Sequence, residues 1–125
     1  MASDSDSAST VMEHDLLRDL IKKRGSEKGK LTLFKKYLAK LDPQAISAEQ
    51  IIDLELRTDK VRTVFSKFEK IQDRIETLST DIDKELEERE CFENSYYESV
   101  ARAKNYLNQN KPNNASSNSN QDRYR

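Results

Sequence analysis

Residues 61–82 read VRTVFSKFEKIQDRIETLSTDI, and this stretch decides the fold. Val61, Val64, Phe68, Ile71, Ile75, Leu78 and Ile82 are separated by 3, 4, 3, 4, 3 and 4 residues, the spacing that keeps apolar side chains on one stripe of a helix. The stripe is a packing seam. Upstream, Ser47-Ala48-Glu49-Gln50 is a capping box, in which serine and glutamine reciprocally satisfy amides that the first helical turn leaves without partners. Neither glycine nor proline follows before Leu78. The sequence therefore predicts one long helix over 47–78.

Downstream, Ser79-Thr80-Asp81-Ile82-Asp83 gathers hydroxyls and acids, with Thr80 and Asp83 spaced as a further cap, and a helical pattern resumes over 80–108. Its register runs through Leu86, Arg89, Glu93, Tyr96, Val100, Ala103 and Leu107, one position out of phase with the first seam. A phase break lying on a cap signal points to a hairpin turn near 79–85, with one continuous rod as the alternative. Toward the N-terminus, the capping box Thr10-Val11-Met12-Glu13 opens a segment carrying Met12, Leu16, Leu17, Leu20 and Ile21, then Leu31, Phe34, Leu38 and Leu41. It should stop at Asp42-Pro43, because proline cannot donate the next hydrogen bond. Gly25 and Gly29 either divide this segment or lie inside one helix, and length favours the second. Three helices of similar length, each roughly 45 Å at 1.5 Å per residue, make an all-α antiparallel three-helix bundle the simplest architecture. The core seam expected in it comprises Val61, Val64, Phe68, Ile71, Ile75, Leu78, Tyr96, Val100 and Leu107.

Composition agrees. The chain has 125 residues, 36% charged and 34% hydrophobic, with 22 Lys and Arg against 23 Asp and Glu. Leu, Ile, Val and Phe make up about 22%, which excludes a thick globular core and more than one domain. Two glycines and two prolines cannot supply the turns of an all-β fold. The helical domain is expected over 11–107, between a small polar tail at 1–10 and an Asn/Ser-rich tail at 108–125, both disordered. The first residues, MASDSDSAST, do not form a signal segment, and no run of 18 apolar residues exists. A soluble, intracellular and cytoplasmic protein is expected. Its single cysteine, Cys91, agrees with a reducing compartment, and the sequon at Asn114 is then idle.

Chemistry has no evident seat. One histidine, His14, and one cysteine cannot furnish a zinc site. Gly25 and Gly29 lack the Gly-Lys-Ser/Thr ending of a phosphate loop and the third glycine of a dinucleotide loop. The carboxylates lie among compensating lysines and arginines. The expectation is a protein without enzymatic activity, metal, cofactor or small-molecule substrate.

Charge is balanced overall but not locally. Asp15 to Leu41 holds nine bases against three acids, whereas Asp81 to Glu98 holds eight acids against two bases. Either the first and third helices neutralise one another, or Lys22, Lys23, Arg24, Lys28, Lys30, Lys35, Lys36 and Lys40 form a surface for phosphates of nucleic acid or, less favoured, of an anionic membrane. Tyr96, Tyr97 and Tyr106 are candidates for base stacking, but helical spacing assigns Tyr96 to the core.

Three groups of residues carry a family resemblance. Arg24-Gly25-Ser26-Glu27-Lys28-Gly29-Lys30-Leu31-Thr32 with Phe34, Phe68-Glu69-Lys70-Ile71-Gln72 with Ile75-Glu76, and Glu88-Arg89 with Phe92-Glu93, Tyr96-Tyr97, Ala101 and Ala103 resemble the amino-terminal Gag-like region of Bel/Pao-type LTR retrotransposon polyproteins. The resemblance spans about residues 16–107. The chain departs from it in having no tryptophan near Val64 and Phe65. The resemblance implies a helical assembly or interaction module without catalytic residues, partnered by itself or by another Gag-like chain, in a fragment, truncated copy or host-adopted relic. An unrelated coiled-coil adaptor is the bland alternative.

Overall fold

Ser47 and Gln50 form the box their spacing predicts. The Gln50 amide donates to Ser47 Oγ at 3.1 Å, and the Ser47 amide donates to Gln50 Oε1 at 2.9 Å. In the computed structural model, which describes the backbone of residues 2–110 and the side chains of residues 11–110, this cap opens the second of three helices. They are α1 (Ala2–Lys40), α2 (Ala48–Leu78) and α3 (Ile82–Gln109), and the described residues include no strand.

α1 is helical ahead of Thr10, so the box at Thr10 to Glu13 is not its first turn. The side chains of the expected N-terminal tail, and residues 111–125 of the expected C-terminal tail, lie outside the described residues. Residues 108 and 109 of that tail belong to α3. Gly25 and Gly29 sit inside α1 and do not break it. A Cβ placed on either would meet nothing within 4 Å, so neither glycine serves a close approach within the chain.

Asp42-Pro43 ends α1 as expected. Once the chain leaves the helix, the Asp42 carboxylate accepts from the Gln44 amide at 2.9 Å and its carbonyl from the Ala45 amide at 2.9 Å. The second turn is a hairpin, and no rod is formed. The Ser79 amide still donates to the Ile75 carbonyl at 2.8 Å, the Asp81 amide donates to Ser79 Oγ at 3.0 Å, and Asp81 Oδ1 then takes the Lys84 amide at 3.2 Å. Asp81 is thus the N-cap of α3, in place of the expected Thr80. Its short carboxylate reaches the third amide on, and the acids of the first turn suit the positive end of the helix dipole.

The hairpin brings α2 and α3 together antiparallel. Phe68 stacks on Phe92 with centroids 3.7 Å apart and planes 6° from parallel, and Phe65 stacks on Tyr96 at 4.2 Å. Leu31, Phe34 and Leu38 of α1, with Leu41 just after it, close the core against Leu54, Val61, Val64 and Phe68. Of the expected seam, Val61, Val64, Phe68 and Ile75 are buried. Ile71, Leu78, Tyr96, Val100 and Leu107 are half-buried.

The α3 register is a correction. Leu86, expected on the seam, is 47% exposed, as is Ile82 at 45%. The inward positions are Glu85, Phe92, Ser99 and Ala103, the first three of them one residue earlier than expected. Two interactions turn the helix this way. Phe92 has the larger apolar area and a facing ring to stack on, and Glu85 finds cationic and amide partners inside, as described below.

Two consequences are measurable. Phe68→Ala should remove about 3–5 kcal/mol, much of the stability of a bundle this thin, and a melting curve monitored by circular dichroism will show it. Gly25→Ala and Gly29→Ala should each raise stability by about 1 kcal/mol in urea unfolding, since both sites are helical, exposed and open.

Candidate interaction surfaces

The opposite charges of α1 and α3 meet inside the bundle. Arg24 Nη1 lies 2.6 Å from Glu85 Oε1 and 3.1 Å from Gln72 Oε1, and Gln72 Nε2 donates to the Glu85 carbonyl at 2.9 Å. Gln72 is fully buried, and the Arg24 and Glu85 side chains are nearly so. One turn further, Lys28 pairs with Glu88, and Lys35 donates to Ser95 Oγ at 2.8 Å. Lys28 holds the Glu88 carboxyl below its ordinary range, mainly by that hydrogen bond.

A second cluster joins α2 to α3. Arg89 reaches Glu69 at 2.6 Å, Asp73 at 2.6 Å, Glu76 at 2.8 Å and Glu93 at 3.6 Å. Its pKa is raised, first by the hydrogen bond to Glu76, which is in turn held low by Arg89. Glu69 goes the other way and is pushed up to about 7, by burial first and then by the hydrogen bond to Glu93, with the charges of Glu93 and Asp73 adding to it. Arg89 opposes the shift. It is divided among four carboxylates, however, and Glu69 Oε2 is buried without a partner, so the raising influences win.

The eight candidate phosphate-binding residues therefore divide. Arg24, Lys28 and Lys35 are turned to α3. Lys23 pairs with Asp19 at 3.4 Å and Lys30 with Glu27 at 3.3 Å. Lys22, Lys36 and Lys40 are exposed and form no ion pair among the described residues. Of the tyrosines, Tyr96 spends its face on Phe65, and Tyr106 packs against the core. Tyr97 is 55% exposed.

The larger basic feature lies between α1 and α2, on cations that the charge count of α1 alone misses. One cleft of about 160 Å³ is lined by Lys30, Leu33 and Phe34 of α1 with Arg57, Lys60, Val61 and Val64 of α2. A second, of about 360 Å³, is lined by Lys23, Ser26 and Glu27 with Lys67, Lys70 and Ile71. Arg57 pairs with Asp53 at 3.1 Å and stacks over the Tyr37 ring at 4.2 Å. Lys60, Lys67 and Lys70 form no ion pair among the described residues. Their signal in the sequence is positional, since Arg57, Lys60, Lys67 and Lys70 flank the seam of α2 at helical spacing.

The other unpartnered feature is apolar. Arg24 is level with Gln72, so six residues toward the N-terminus α1 is level with the end of α2, and residues before about 18 project past the hairpin turn. Val11, Met12 and Leu16 are exposed there, Met12 by 70%, and Ile21 is exposed on the other side of α1, level with the last turn of α2. No helix of the described residues is long and apolar enough to cross a membrane.

Compared with protein-family models, with curated proteins and with solved structures, the chain has no match. The surfaces themselves carry the functional argument.

Glu69 makes a pH dependence testable. Its folded pKa, about 7, lies above the ordinary 4.5, so between those values the folded chain keeps a proton that the unfolded chain has released. Its contribution to stability is complete below the ordinary value and is lost as pH rises through about 7. Glu76 and Glu88, held low, contribute above the ordinary carboxyl value and lose that contribution in acid. Urea unfolding across this range should show Glu69→Gln abolishing the decline toward neutral pH while leaving the acid limb in place.

Proposed function

We propose that this chain is a non-enzymatic helical interaction module that works by self-association, as the Gag-like resemblance implies. The observation that carries the reading is the uncovered apolar stripe of Met12 and Leu16 at the N-terminal end of α1, with Val11 and Ile21 exposed on its other sides. The bundle closes on Leu20 and every larger apolar residue of the α1 core stripe beyond it, yet leaves Val11, Met12, Leu16 and Ile21 in solvent. Burial of such a face is the main favourable contribution to association. On this reading the protein acts inside a cell, and its partner is a further copy or another Gag-like chain.

The unpaired Lys60, Lys67 and Lys70 favour a second reading, a nucleic-acid binder, and only salt dependence and stoichiometry separate it from the first. In sedimentation equilibrium the wild-type chain should exceed 14.5 kDa at high micromolar concentration. Met12→Asp with Leu16→Asp should return it to that mass with its helicity intact. Tight, salt-sensitive RNA binding by a strictly monomeric chain would replace the first reading with the second.

A further inference from the structure

The two unpartnered surfaces complement one another. The α1/α2 clefts have an apolar floor, including Leu33, which is 65% exposed, and cationic rims. The protruding end of α1 is apolar on one side and acidic. Residues 1–21 contain Asp4, Asp6, Glu13, Asp15 and Asp19 against Arg18 alone.

Position along α1 links them. Met12, Leu16, Asp19, Lys23, Lys30 and Leu33 recur at separations of 4, 3, 4, 7 and 3, so they share one side of a continuous helix. Lys23, Lys30 and Leu33 line the clefts with α2. Met12 and Leu16 lie where α2 has ended, and Asp19 lies level with its last turn. The cleft-lining part of α1, from Lys23 to Leu33, is roughly 15 Å long at 1.5 Å per residue, and so is the exposed part from Val11 to Ile21.

We propose that two copies pair through α1, antiparallel about a two-fold axis near Lys22, so that each lays its acidic, apolar end in the α1/α2 groove of the other. This rests on the self-association reading and adds to it the surface, the partner and the stoichiometry. Under this symmetry residue 11 of one copy lies opposite residue 33 of its partner and residue 19 opposite residue 25. Met12 then covers the cleft beside Leu33, while Asp15 and Asp19 run along the rim made by Lys67 and Lys70. Asp15 and Asp19 are more than half exposed, and their present pairs, with Arg18 at 3.6 Å and Lys23 at 3.4 Å, are made within α1. They are free to exchange partners at little cost. The interface is isologous, so the assembly closes at two.

Charge exchange tests it in the full chain. Lys67→Glu with Lys70→Glu, or Asp15→Lys with Asp19→Lys, should each weaken dimerisation about tenfold or more, and all four changes together should restore it. Circular dichroism on each variant shows whether the bundle survives, and raised salt should weaken the wild-type dimer. Expected is a wild-type mass of twice 14.5 kDa, lost in both double variants and regained in the quadruple. Association that ignores the charge exchange, or that grows beyond two copies, overturns this interface and leaves self-association standing. A wild-type chain of 14.5 kDa at every concentration overturns both.

Discussion

A carboxylate held between three helices has to be neutralised, and Arg24 neutralises Glu85. The remaining structure is arranged around that contact. Gln72, fully buried, uses its carbonyl oxygen on Arg24 and its amide on the Glu85 backbone, so one residue from each helix joins a single polar layer. Breaking such a pair leaves a buried charge and costs about 3–5 kcal/mol. The layer therefore adds little over an apolar one but rejects other rotations of α3 and other slides of α1. With Glu85 turned inward, Phe92 faces Phe68, Arg89 falls among the α2 carboxylates, and Leu86 is left outside.

The same layer explains what could be read in advance. Of the local signals, the Ser47 box and the stop at Asp42-Pro43 stand as the spacing indicates, and Val61, Val64, Phe68 and Ile75 of the α2 seam are buried, whereas the Thr10 box does not open α1. The hairpin is visible as a phase break, but its cap falls on Asp81 and not on the Thr80 that the spacing indicates, because both can accept a backbone hydrogen bond. The α3 register was illegible for a physical reason. Apolar periodicity favours Leu86 over Glu85, and a cation from a helix sixty residues away, together with the ring that Phe92 stacks on, reverses the preference. The α2 lysines escaped for a related reason, since their meaning depends on which α1 residues lie across the groove.

The candidate surfaces are by-products of this packing. α1 donates Arg24, Lys28 and Lys35 to α3, which leaves its α2 side to share a basic groove. α1 is also longer than the hairpin it packs against, so its apolar stripe continues past the last residue able to cover it. A self-associating module and an excess of uncovered apolar surface are, in energetic terms, one statement.

Gly25 and Gly29 interrupt the best helix-forming part of α1 at the level of the Arg24 contact, and each adds backbone entropy on the unfolded side. The helix continues through them, but the contacts that hold it differ on either side. Leu31 to Leu41 is locked to α2, whereas the stretch before Gly25 is tied down chiefly at Leu20 and Arg24. Local opening thus proceeds from the N-terminal side, with the amide protons ahead of Gly25 exchanging while those of the α2–α3 hairpin stay protected. A chain built this way can release its leading helix to solvent, or to another surface, without surrendering the rest of its fold.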